Sequence, residues 1–156
     1  MSKVRKALLL SSDSDIVLKL SELIWDKTEP ADKSFSSLTA PERNFLFMDI
    51  FDGQVKNGGF RQFFYASSGN YVYEILDACK IIKAEKAGEL LTRAVSHFPA
   101  TSIAKDMKER RVQMEQLTDN AVAEWRELDA AYAECDENID QLLVAYIKGN
   151  IDEIGR

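Results

Sequence analysis

Nine carboxylates stand between Glu115 and Asp140 (Glu115, Asp119, Glu124, Glu127, Asp129, Glu134, Asp136, Glu137 and Asp140), against one cation, Arg126. From Val112 to Arg156 there are eleven acidic and three basic residues, a local net charge of −8; subtracting it from the overall −6 leaves +2 for residues 1–111. Carboxylates so crowded can hold a metal, move protons or attract a basic surface, and spacing decides among these. A helical Glu-x-x-His, a Cys-x-x-Cys and a calcium-loop pattern are all missing, and Asp13 and Asp15 lack the Gly and distal Glu that such a loop needs. A catalytic constellation such as Ser-His-Asp or Cys-His would call for a base or nucleophile, nothing supports one, and His97 is the only histidine. It is expected in the last turn of its helix, where a cation meets the helix dipole favourably. Electrostatic docking of a basic surface is the chemistry that remains.

The bulk numbers agree. A net charge of −6 with 29% charged residues fits a globular protein and argues against direct binding to nucleic acid or an anionic membrane. One domain over residues 1–156 is expected, with 46% hydrophobic residues to build its core. Cys79 and Cys135 each fall in an apolar helical pattern and are expected to be buried free thiols in a reducing compartment. Basic residues precede the apolar run Ala7–Leu10, but that run is shorter than the roughly 7 to 15 residues of a signal peptide's core. A cytoplasmic protein without a membrane span is expected.

The carboxylates must be positioned by helices. Apolar spacing predicts one from Ser12 to Asp26, capped by Ser12 or Asp13, with Ile16, Leu20, Leu23 and Ile24 inward. Residues 31–38 are expected to form a loop. Thr39-Ala40-Pro41-Glu42 starts a helix as a capping box. Tyr71 to Lys83 and about Lys83 to His97 are expected next, Pro99 ending the latter. Thr101 or Ser102 is expected to cap a long helical stretch that breaks near Thr118-Asp119-Asn120 and again near Asp136. A last helix, Glu137 to Lys148, precedes Gly149. With no strand alternation, the fold class is all-α, with seven or eight helices. Within it, Ala121, Trp125, Leu128, Tyr132 and Cys135 form an apolar stripe, which places Glu127 and Glu134 opposite and in solvent, with Glu124 nearby.

Asn57-Gly58-Gly59-Phe60 interrupts this pattern between two aromatic segments. Paired glycines let a helix end in a positive-φ residue and the chain turn, so Gly58 or Gly59 is expected there, with Phe60, Phe63, Phe64 and Tyr65 beginning a second segment. A phosphate-cradling loop would carry more regular glycines, a Lys-Ser/Thr pair and a preceding apolar strand. The turn is therefore structural.

The run Val55-x-Asn57-Gly58-Gly59-Phe60-x-Gln62-Phe63-Phe64, followed by Ser68-Gly69, an amphipathic helix and His97-Phe98-Pro99, resembles the bacterial DNA-mimic protein family across about residues 40–100. The resemblance implies an all-helical fold. For the best-known members it implies an acidic surface that occupies the DNA-binding face of a helix-turn-helix repressor. The matched motif carries no binding residue across. The docking candidates are Glu115, Asp119, Glu124, Glu127, Glu134, Asp136, Glu137 and Asp140, and they rest on charge alone. Duplex DNA presents one charge per roughly 1.7 Å of axis, whereas nine carboxylates along one helix give one per roughly 4 Å. The expected function is a non-enzymatic module that docks a basic protein, with no catalytic residue, metal or cofactor. The alternatives are an immunity-like inhibitor of a toxin and, third, an enzyme using an aromatic groove near Phe60–Tyr73.

Overall fold

The computed structural model describes residues 1–99 and 102–154. Among these there are eight α-helices, two short 3-10 turns and no strand. The fold is all-α, as the periodicity requires. The helices are α1 (Lys3–Ala7), α2 (Asp13–Trp25), α3 (Ala40–Tyr65), α4 (Val72–Ile82), α5 (Glu85–Val95), α6 (Met107–Glu115), α7 (Asp119–Ala133) and α8 (Ile139–Gly149). The chain divides into two units, residues 1–49 with 138–156, and residues 50–137. Helix α3 supplies residues to both.

In the first unit α2 packs against α1 and α8. Ser12 caps α2, its Oγ accepting from the Asp15 N–H at 3.1 Å. Val17 joins Ile16, Leu20 and Ile24 in the core, while Leu23 is only half-buried. The capping box forms at α3: Glu42 Oε1 accepts from the Thr39 N–H at 2.9 Å and the Thr39 hydroxyl from the Glu42 N–H at 3.4 Å. Glu42 is fully buried and its other oxygen meets Lys27 Nζ at 2.6 Å. In the preceding loop Phe35 is buried at φ 58°, its ring edge-on to Trp25 and Phe47. Hydrogen bonds from Ser36 and Ser34 hold the Asp32 carboxyl well below its usual range. The last helix starts two residues later than the pattern suggests, at Ile139, because Asn138 Oδ1 caps it by accepting from Gln141 N–H at 3.0 Å.

In the second unit α5 packs against α4 and α7, and α6 lies on the 3-10 turn over Ser67–Tyr71. Lys83, in the left-handed conformation at φ 69°, separates α4 from α5, so α5 begins at Glu85 and not at Lys83. One further expectation needs correction. Of the proposed caps, Thr101 lies outside the described residues, and Ser102 does not begin a helix. The Ile103 N–H goes to Tyr73 Oη at 2.8 Å and the Ala104 N–H to Gln113 Oε1 at 3.0 Å, so the Ala104 N–H is not held by a Ser102 cap. Helix α6 starts instead behind Asp106, whose carboxylate accepts from Glu109 N–H at 2.9 Å. The break before Asp119 and the one near Asp136 are both present.

Candidate functional site

Asn57-Gly58-Gly59-Phe60 lies inside α3 and kinks it: Gly59 has φ 77° and ψ −177°. The chain past the kink, Phe60 to Tyr65, is a short helical piece with orphan N–H groups at one end and orphan carbonyls at the other. Both ends are closed by charged side chains of matching sign. Asp129 of α7 puts Oδ1 2.8 Å from the Phe60 N–H. Arg110 of α6, fully buried, donates from Nε to the Phe64 carbonyl at 2.6 Å and from Nη2 to the Ala66 carbonyl at 2.8 Å and Asn70 Oδ1 at 2.9 Å. Its Nη1 reaches the Ala104 and Lys105 carbonyls at 3.0 and 2.9 Å. An anion at the positive end of the piece and a cation at the negative end each stabilise it. Burial lowers the Arg110 pKa, yet a guanidinium stays charged in proteins. Burial raises the Asp129 carboxyl, and the Phe60 N–H opposes that shift.

Helix α7 presents its expected stripe. Ala121, Trp125, Leu128 and Tyr132 are buried, and Cys135, expected in the same stripe, lies past the helix end and is half-buried. Trp125 stacks on Phe64 at 4.9 Å between centroids and donates its indole N–H to the Ala94 carbonyl at 3.0 Å. Tyr132 donates to Asp52 Oδ1 at 2.6 Å, and burial with the adjacent carboxylate drives its hydroxyl far above the usual range. Phe60, Phe63 and Phe64 are fully buried in the same core. In the aromatic run Phe60–Tyr73 these three rings belong to the core, while Tyr65 and Tyr73 are exposed.

The candidate carboxylates divide into those that face solvent and those that hold the fold. Glu115, Asp119, Glu127 and Glu134 are exposed. Glu124 is half-buried, 3.0 Å from Arg93 Nη2 and 3.1 Å from His97 Nε2, and hydrogen bonds from these two lower its pKa. His97 therefore does not cap its helix: α5 ends at Val95, and the imidazole turns across to α7. Asp136 pairs with Lys86, which lowers the acid and raises the lysine. Glu137 is half-buried and serves as a cap for α5, whose own N-cap residue is Ala84: its Oε2 and Oε1 accept from the Lys86 and Ala87 N–H at 3.1 and 3.0 Å. Asp140 belongs to the other unit, half-buried in the first turn of α8.

Sequence reasoning missed Glu89. It lies on α5 and lines, with Lys86, Leu90, Ala131, Glu134, Cys135 and Asp136, a groove of about 570 Å³ between α5 and α7. Its position beside Glu134 depends on the antiparallel packing of two helices separated by α6, and the chain's local pattern holds no trace of that pairing. Cys79 is buried, its thiol pushed up to about 12 by burial first and Glu137 second, and so remains un-ionised at neutral pH. No group of three His, Cys, Asp or Glu side chains suited to a metal occurs among the described residues. Among the same residues no helix is long and apolar enough to cross a membrane.

These features define an all-helical protein of net charge −6, with a kinked, aromatic-rich helix. The chain belongs to the DMP19-like protein family, a family of DNA mimics, whose model matches residues 36–150. Comparisons with curated proteins and with solved structures give no match.

Proposed function

We propose that the chain is a non-enzymatic DNA mimic whose α7 face docks on the DNA-binding face of a basic protein, a helix-turn-helix regulator being the class the family suggests. One observation carries the reading: Glu127 and Glu134, seven residues apart, are exposed on the side of α7 opposite Trp125 and Tyr132. Two helical turns separate them, so both carboxylates point the same way. Glu134 and Glu89 border the groove beside α5, which extends the negative field beyond one helix. Glu115 and Asp119 add to it from the end of α6 and the start of α7. Glu124, Asp136 and Glu137 contribute charge at a distance, since their oxygens are already engaged. Asp140 adds to the total charge from α8.

Single exposed ion pairs give about 0–1 kcal/mol, so several must act together and binding must weaken with salt. A basic partner retained by the immobilised chain should elute at moderate salt and be displaced by its own DNA site. The double variant E127K/E134K should fold normally and associate more slowly with that partner. Association as fast as the parent's at low salt, or direct binding of duplex DNA by the parent, would overturn the reading.

A further inference from the structure

Three residues of α7, spaced i, i+4 and i+7, each form a directed hydrogen bond, one to α5 and one to each side of the kink in α3. The Trp125 indole N–H donates to the Ala94 carbonyl, Asp129 Oδ1 accepts from the Phe60 N–H, and the Tyr132 hydroxyl donates to Asp52. Apolar packing tolerates a helix that rotates or slides slightly, because its attraction has no direction. Hydrogen bonds weaken steeply away from their preferred geometry, so three along one stripe fix both rotation and axial position. Asp129 differs from the other two in accepting its hydrogen bond, from a backbone N–H at the kink of α3. Its carboxylate also lies where a β-carbon on Gly59 would be, with Cγ 2.7 Å from that point, so the glycine is what lets α7 approach.

We propose that Asp129 is a positioning residue for docking: by holding the Phe60 N–H it sets the rotation of α7 that turns Glu127 and Glu134 outward. The Asn-Gly-Gly-Phe segment then acts on binding without touching the partner, by providing the N–H that Asp129 grips. An acidic face held in one orientation loses little freedom on binding, as a rigid duplex would. The inference rests on the docking role of α7 proposed above, and its test separates the two.

D129A removes charge and acceptor together, whereas D129N removes the charge and keeps an oxygen that can accept from Phe60. Backbone amide exchange over Glu127–Glu134 is read first, by NMR and without any partner. In D129A these amides should exchange about tenfold faster or more, and in D129N they should match the parent. Binding is read second, with a helical peptide bearing arginines one and two turns apart as the probe. Its affinity should fall about threefold or more for D129A and stay close to the parent's for D129N. Equal losses in the two variants would show that charge alone matters and overturn the proposal, as would parent-like exchange or parent-like binding in D129A. If D129A fails to fold, D129N decides: faster exchange or weaker binding than the parent's overturns the proposal. Undiminished binding by E127K/E134K would instead count against the docking reading, and the exchange measurement would still report whether Asp129 fixes α7.

Discussion

At φ 77° and ψ −177°, Gly59 occupies backbone territory that is essentially glycine's alone, and a β-carbon there would also collide with the Asp129 carboxylate. G59A should therefore cost about 1–3 kcal/mol from backbone strain alone, and G59V more, measured by urea unfolding. Unchanged midpoints in both would show that the kink can be rebuilt without its glycine. Trp125 is 1% exposed, and its removal would open a cavity beneath the Phe64 ring and take from the Ala94 carbonyl its 3.0 Å indole donor, leaving the His97 N–H at 3.3 Å. W125A should lose about 3–5 kcal/mol, seen in the same assay. Both residues stand out in the sequence, one as half of a Gly-Gly pair and the other as the centre of an apolar stripe. The partners of Gly59 and Phe60 do not, because Asp129 lies 69 residues from the N–H it caps. Arg110 was equally hidden: in sequence it is one of several cations in a polar helix, and only the fold delivers five acceptor contacts to it.

The helices themselves were largely written in apolar periodicity, and several boundaries were readable where a local side chain makes the cap, as with Ser12, Thr39 and Thr118, though not at Asp106 and Asn138, where other polar residues nearby offer equally good caps. A boundary is least legible where the cap comes from elsewhere in the fold. Helix α5 begins at Glu85 because Lys83 adopts a left-handed turn and Glu137, some 50 residues away, supplies the carboxylate that its first N–H groups need. E137A should thus destabilise by about 1 kcal/mol, the usual cost of a lost N-cap, while E137Q keeps one acceptor and part of the effect. Calorimetric melting of the two variants is the check, and equal midpoints for E137A and the parent would remove Glu137 from this role. The same reasoning explains why an acidic count overstated the surface available for docking. Carboxylates are used in this fold as helix caps and ion-pair partners, and a charge tally cannot tell those uses from display.

At the scale of the molecule, acid should unfold the protein, and the sign follows from which groups are shifted. Glu124, Asp136 and Asp32 are all held below their ordinary values, by Arg93 and His97, by Lys86 and by two serines. Such groups contribute stability above the pKa of the unfolded chain, near 4, and that stability is lost as pH falls through the lower folded values. Asp129 is raised by burial and works the other way, its share growing as pH falls, so one group opposes three. Melting temperature should therefore decline from pH 5 downward to about pH 2; a flat profile would contradict the assigned pairs. The division of the chain also distributes its two indoles evenly. Trp25, 40% exposed beside Phe35, belongs to one unit, and Trp125, sealed against Phe64 and Phe98, to the other. Each unit thereby carries its own intrinsic fluorophore, the first open to acrylamide and red-emitting, the second shielded and blue-emitting. With W25F and W125F as single-reporter chains, emission melts would follow the two units separately, and coincident curves are expected if residues 1–156 unfold as the single domain we propose.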